Sequence, residues 1–295
     1  MDNMTLAELR WTARIGPDIA LRVAVLAFAS ALVGLGCAGS SSVTTACPPA
    51  SLFAEGSRLV DLSHAYDEQT IFWPTEEGFK LEKEFDGITP GGFYYAANHF
   101  SMPEHGGTHI DAPIHFAEGK PTVDRIPLQR LMGPSVVVDV TEACARDRDY
   151  RVTVADLEAW ERKHRAIPKG AIVLLFTGFS RFWPDREKYM GTAARGQEAV
   201  KKLHFPGLHP DAAVWLADTR AIRAVGLDTP SIDHGPTTTF DTHRALFARE
   251  VPAFENLTNL DQLPATGATV VALPMKIRGG SGGPLRAMAI VPSAR

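Results

Sequence analysis

Residues 102–116 read MPEHGGTHIDAPIHF, and in these fifteen positions His105, His109, Asp111 and His115 crowd around Gly106, Gly107 and Pro113. Neutral imidazole and ionised carboxylate are ligands that divalent transition metals prefer. His105, His109 and Asp111 fall within seven residues, so they converge on one ion if the backbone bends, and the paired glycines permit that bend. A helix placing His105 and His109 at i and i+4 is the competing local structure, but each glycine costs a helix on the order of 1 kcal/mol. The stretch therefore reads as a loop running into a strand, with His109 and Asp111 on one face and Thr108 and Ile110 on the other. Pro113 ends regular pairing. His115, beyond that proline, is placed near the metal without necessarily binding it. An ordinary imidazole pKa of ~6.5 makes it a candidate proton carrier.

Working outward, the 295-residue chain is 45% hydrophobic and 22% charged, a globular composition long enough for one large or two small domains. A net charge of −4, with no basic run interleaved with aromatics, gives no footprint for nucleic acid. A small-molecule partner is expected instead. Arg10, Arg14 and Arg22 precede the uncharged run VAVLAFASALVGLG, Val23 to Gly36, which has the length of a signal-peptide core rather than a comfortable membrane span. Residues 1–36 thus read as an export signal and residues 37–57 as a flexible tether of small and polar composition. Gly36-Cys37 resembles a bacterial lipoprotein cleavage box, which makes Cys37 a possible lipid anchor. Gly34 stands where the strongest such boxes carry Leu; ordinary signal cleavage and an uncleaved anchor are the alternatives. The expected location is outside the cytoplasm, either periplasmic or as a membrane-anchored lipoprotein facing the periplasm or cell exterior. Cys47 and Cys144 then remain, too few for a disulfide framework.

From Leu59 onward there is no composition break or repeat, so residues 58–295 read as one domain. The apolar runs Val136 to Val140, Ala171 to Phe176, Ala224 to Leu227, Thr269 to Leu273 and Ala287 to Val291 predict buried strands. Thr153 with Asp156 predicts a capping box, Pro210-Asp211 opens a second helix, and Asp241 is the expected cap of a third. Strands mixed with helices in this way predict an α/β protein with a mixed sheet. No dinucleotide or phosphate-loop glycine fingerprint follows any of the strands.

A catalytic metal site needs further ligands. The segment Asp228 to Leu257 offers His243, in the first turn of the third helix, and Glu255, in the short apolar run PAFENL. Taken alone, these read as a helix-surface histidine and an edge-strand charge. Four stretches together, HGGTHIDAPIHF, VGLDTPSID, THRALFAREVPAFENLTNLDQLP and the terminal GGSGGPLRAMAI, resemble the metal-dependent cyclase family of kynurenine formamidases and isatin hydrolases. The likeness runs from Leu59 to Val291. It implies a swivelling β/β/α domain with a central barrel-like mixed sheet, usually a homodimer or homotetramer. It also implies that His105, His109, Asp111, His243 and Glu255 bind one or two ions, with Asp111 bridging if there are two, and that His115 is the catalytic acid/base.

Such a residue set asks for hydrolysis, because a bound Zn2+ or Mn2+ lowers the pKa of water from ~15.7 towards ~7 and polarises a carbonyl. The expected substrate is a compact aromatic compound with an amide, lactam or lactone bond, such as an N-formyl aryl amine or an isatin-like cyclic amide. Phe72, Trp73, Phe93, Tyr94 and Tyr95 read either as its apolar wall or as core, and the resemblance places an aromatic substrate against Trp73. Ser231 reads as a substrate contact or as a turn residue. The run GGSGGP, Gly279 to Pro284, reads as a backbone donor to the pocket or as a flexible loop. No candidate serine has an evident His/Asp retinue, which disfavours a serine hydrolase. A non-catalytic, metal-holding envelope protein on the same fold is the alternative from another class, and retention of His115 speaks against it.

Overall fold

Seven strands close into a mixed barrel because the apolar runs are buried on both faces. The computed structural model describes residues 55–293; the expected export signal and all but three residues of the tether, with Cys37 and Cys47, lie outside the described residues. The strands are β1 (Arg58–Asp61), β2 (Lys80–Ile88), β3 (Tyr94–Ser101), β4 (His109–Asp111), β5 (Met132–Asp139), β6 (Arg151–Val152), β7 (Ile172–Phe176), β8 (Gly207–Leu208), β9 (Ala224–Leu227), β10 (Ala253–Glu255), β11 (Thr266–Pro274) and β12 (Gly282–Val291). The ring runs β12-β11-β5-β7-β9-β10-β4 and returns to β12. Pairing is parallel from β5 through β7 and β9 to β10 and antiparallel elsewhere. β12 can close the ring because it is long: residues 285–290 pair with β11, while its two ends pair with β4 and β1.

Along β5, Val136 and Val138 join the helix-side core while Val137 joins the cluster of inward-facing strand residues; β7 divides Val173 and Leu175 from Ile172 and Leu174 in the same way. This two-sided burial is why the strands read as continuous Val/Ile/Leu runs rather than as an alternating pattern. The helix Val154–His164 starts with the predicted capping box on Thr153 and Asp156, and its Trp160 donates Nε1–H to the Val137 carbonyl at 2.7 Å. The helix Pro210–Asp218 likewise begins at the predicted proline. No helix among the described residues is long and apolar enough to cross a membrane.

Asp241 departs from expectation. It is the first residue of the helix Asp241–Ala248 rather than its cap, and Phe240 precedes it in the left-handed region at φ +50°. The free N–H groups of Thr242 and His243 are satisfied from a distance by the buried Asp233 carboxylate, at 3.0 and 3.1 Å.

A second departure concerns Phe93, Tyr94 and Tyr95. They belong to the β2–β3 hairpin, are 62%, 63% and 52% exposed, and line no cavity with the metal residues. Composition cannot separate an aromatic run on a projecting ribbon from one that walls a pocket.

Candidate metal centre

The strand β4 places the first half of the site. Glu255 of β10 lies directly opposite His109, and Ala253 lies opposite Asp111, so the period-2 geometry brings His109, Asp111 and Glu255 to one face. Ile110 and Phe254 point the other way and are fully buried together. Before the strand, Gly107 holds φ +56°, a conformation favourable only for glycine. A Cβ on Gly106 would lie 2.0 Å from the Phe72 ring. The glycines therefore do more than permit a bend: they also let Phe72 and Tyr66 pack against the loop.

All five predicted ligands meet. Asp111 Oδ1 faces His105 Nδ1 at 2.7 Å and His109 Nε2 at 3.1 Å, while Oδ2 faces His243 Nε2 at 3.1 Å. Glu255 lies 3.5 Å from His109 Nε2 and 3.3 Å from His243 Nε2. Two donor groups result, His105–His109–Asp111 and Asp111–His243–Glu255, sharing Asp111 between them. His243 is 3% exposed and Glu255 3% exposed, so the helix-surface and edge-strand readings of these residues fail.

Hydrogen bonds behind the imidazoles fix which nitrogen faces the centre. His109 Nδ1 lies 2.9 Å from the Gly107 carbonyl, which can only accept, so Nδ1 carries the hydrogen and Nε2 presents a lone pair. His243 Nδ1 lies 2.6 Å from Asp233 Oδ2 with the same consequence. Lone pairs on these rings thus point at carboxylate oxygens inside a buried site, an arrangement that calls for a cation, and three imidazoles with two carboxylates are the donors a divalent transition metal takes. The residues fit such an ion.

The same charges govern protonation. Burial opposes a charge on His243, but bonds to Asp111, Asp233 and Glu255 outweigh it and hold the pKa well above the usual imidazole range. Burial, the Asp111 charge and their proximity push Glu255 up, while Asp111, despite its own burial, is held well below the usual range first by His105. A proton therefore competes with a cation for these ligands, and metal binding tightens as pH rises.

His115 sits where a proton carrier is useful. Its ring stacks on His105 at 3.8 Å between centroids and meets His243 edge-on at 6.1 Å. Burial, only partly offset by Asp111, lowers its pKa to about 4. Above the five donors opens a cavity of ≈ 400 Å³. Trp73 forms part of its wall as predicted, stacked obliquely 6.3 Å from Phe240. Phe72 also borders it but is 1% exposed and sits largely beneath Gly106, closer to core than to wall. Ser231 lines the cavity, and its Oγ also accepts the Asp233 N–H at 3.3 Å, so it both faces the pocket and holds the turn.

Sequence reasoning missed Asp233, Asn256, Phe116 and Phe240. Asn256, left-handed at φ +54°, donates to the Gly107 carbonyl at 2.8 Å and accepts from Tyr189 at 2.9 Å, which steadies the acceptor of His109. Asp233 lay inside the quoted VGLDTPSID run, but a carboxylate ten residues from its histidine carries no periodic signal.

A closed mixed barrel carrying a buried imidazole–carboxylate centre under an aromatic-walled pocket defines a metal-dependent enzyme. The Cyclase family model matches residues 60–234. The isatin hydrolase of Roseibium aggregatum is 31% identical over 273 residues, covering 90% of this chain and 98% of that protein, and the kynurenine formamidase of Salinibacter ruber is 28% identical over 236 residues, covering 78% and 96%. Among solved structures, isatin hydrolase A from Ralstonia solanacearum superposes with a TM-score of 0.73 at 32% identity, covering 80% of this chain and 92% of that one. An isatin hydrolase bound to the product analogue thioisatinate gives 0.71 at 29%, covering 80% and 93%. The chain belongs to the Cyclase family and is a metal-dependent hydrolase.

Proposed function

We propose that this hydrolase opens the amide, lactam or lactone bond of a compact aromatic compound, with His105, His109, Asp111, His243 and Glu255 as metal ligands and His115 as general acid/base. The observation that carries the reading is the stacking of His115, a neutral imidazole at working pH, against the His105 ring at the floor of the cavity. The Asp111 carboxylate shared by two donor groups supports two ions, Zn2+ or Mn2+, both of which suit these ligands. A divalent ion held there supplies a Lewis acid that polarises the carbonyl and makes water acidic enough to lose a proton near neutral pH.

The chain's own residues do the rest. Trp73 and Phe240 hold the aromatic ring and exclude water from the scissile bond. His115 accepts the proton of the attacking water and returns it to the nitrogen or oxygen that leaves as the acyl bond breaks. Purified protein loaded with Zn2+ or Mn2+ is expected to hydrolyse isatin or N-formylkynurenine, with simple aryl lactones as further probes, followed by absorbance. Metal bound stoichiometrically with no turnover on any of these compounds would overturn the reading.

We also propose that the protein works as a homodimer through the β2–β3 hairpin. Leu81, Phe85, Ile88, Phe93, Tyr94, Tyr95 and Phe100 are 38–68% exposed on this two-stranded ribbon. Such a ribbon is marginal by itself. Phe85 packs with Tyr95 on one face, and Leu81 with Phe100 and Ile88 with Tyr94 lie on the other, so the ribbon offers apolar side chains to a partner on both faces. Lys80 and Lys83 stand among Glu82, Glu84 and Asp86, a mixture of signs that suits a second copy of itself. Light scattering is expected to give a dimer mass that falls to a monomer in a Phe85→Ser, Tyr95→Ser variant. A wild-type monomer would sink the idea.

A further inference from the structure

Glu104 and Ser281 stand outside the donor set, yet both are bonded into it through His105. The Ser281 hydroxyl donates to Glu104 Oε2 at 2.6 Å, and the Ser281 N–H donates to the same oxygen at 2.9 Å. A serine hydroxyl has a single proton to give. With that proton committed to the carboxylate, Ser281 Oγ faces His105 Nε2 at 2.8 Å as an acceptor, so Nε2 carries the ring hydrogen. The other ring nitrogen, Nδ1, then presents its lone pair, and it points at Asp111 Oδ1 from 2.7 Å. The reverse arrangement, with the hydroxyl donating to His105, would set an Oγ lone pair against a carboxylate oxygen at 2.6 Å.

We propose that Glu104 and Ser281 are positioning residues that lock His105 in the Nε2–H tautomer and so make Nδ1 its metal-binding atom. This is the opposite nitrogen from the one used by His109 and His243, whose Nε2 atoms face the centre. The difference has a geometric cause. His109 lies on β4 and reaches Asp111 along the strand, whereas His105 comes from the loop before it and meets Asp111 with its near nitrogen.

The Gly279–Pro284 segment is built to hold this relay, which replaces its reading as a flexible loop. Gly279 N–H is fixed to Asp124 at 3.0 Å, the Gly280 carbonyl accepts from Val123 at 2.9 Å, and the Ser281 carbonyl accepts from Ala112 at 2.8 Å. Gly282 then pairs with Asp111 in the β4–β12 ladder. A Cβ at Gly282 would stand 2.5 Å from His105 Cε1, so the bare backbone is what lets the imidazole lie flat against the segment. The relay, the ligand and the shared carboxylate are thus tied to one pair of strands. Outer partners of this kind are worth roughly 10–100-fold in metal affinity.

The proposal rests on the reading of His105 as a metal ligand, and the test separates the two. Zn2+ binding to metal-free protein is titrated with a competing chelator, and the ring nitrogens of His105 are read by NMR of histidine-labelled, Zn2+-loaded protein, the state to which the tautomer outcomes refer. The expected results are an Nε2–H, Nδ1-bare ring in the wild type, Zn2+ affinity reduced roughly 10–100-fold in Ser281→Ala, and affinity restored in Ser281→Thr, which keeps the hydroxyl. The loss should fall on one donor group, leaving the Asp111–His243–Glu255 ion bound. Wild-type affinity in Ser281→Ala, or a hydrogen on Nδ1 in the wild type, overturns the proposal. If Ser281→Ala fails to fold, Glu104→Gln reads the same quantity, since its amide can donate to Ser281 and reverse the relay: weakened Zn2+ binding supports the proposal and unchanged binding overturns it. Zn2+ affinity and stoichiometry both unchanged from the wild type in His105→Ala show instead that the ligand assignment itself is wrong.

Discussion

Replacing His115 with alanine is expected to lower kcat by roughly 10²–10⁴-fold, the range that a positioned general acid/base contributes, while metal content stays at the wild-type level. The ring stacks on His105 and lines the cavity, but it belongs to neither donor group, so under the proposed roles its loss removes the proton carrier and spares the ligands. The pH profile provides the sign. Burial lowers the His115 pKa to about 4, and a base works only when deprotonated, so activity is retained above that pH and falls as pH drops through it. A nearby cation moves the limb lower still. At saturating metal the acid limb of the wild type therefore lies well below the ordinary imidazole value of ~6.5. Turnover in His115→Ala equal to the wild type would remove this residue from the mechanism, and loss of metal together with rate would make it a ligand.

The second large effect is expected at Asp111. Its two oxygens face His105, His109 and His243, and it is the one side chain common to both donor groups. Asp111→Asn keeps the shape and removes the charge, so metal affinity should fall at both groups by more than the roughly 10–100-fold attributed to outer partners, with activity dropping to that of metal-free protein. His243→Ala or Glu255→Ala should act differently, weakening one group and leaving His105, His109 and Asp111 as donors. Elemental analysis after dialysis, beside the rate, distinguishes these outcomes. Full metal occupancy in Asp111→Asn would show that neither donor group depends on the carboxylate charge.

The chain was partly legible before folding. The Val/Ile/Leu runs predicted five of the seven barrel strands to within about five residues, with Ala224–Leu227 found unchanged. β12 begins five residues earlier than its apolar run because Gly282, Gly283 and Pro284 pair with β4 while carrying no hydrophobic pattern. Thr153 and Asp156 signalled a helix start through chemistry local to four residues. Asp241 did not, since the group that caps its helix, Asp233, arrives from eight positions upstream across a turn. Trp73 was named through resemblance and borders the cavity, whereas Phe116 and Phe240 reach the same cavity only by tertiary packing.

By itself the sequence determined the donor types, the glycines that turn the loop, and the alternation that sends His109 and Asp111 to one face, because each depends on neighbours in the chain. Tertiary structure decided the rest. It set Glu255 opposite His109, carried His243 on its helix to the far side of Asp111, and fixed the ring nitrogens of His109 and His243 through Gly107 and Asp233. A metal centre needs donors converging within a few ångströms, and residues more than a hundred positions apart acquire that proximity only when the barrel closes.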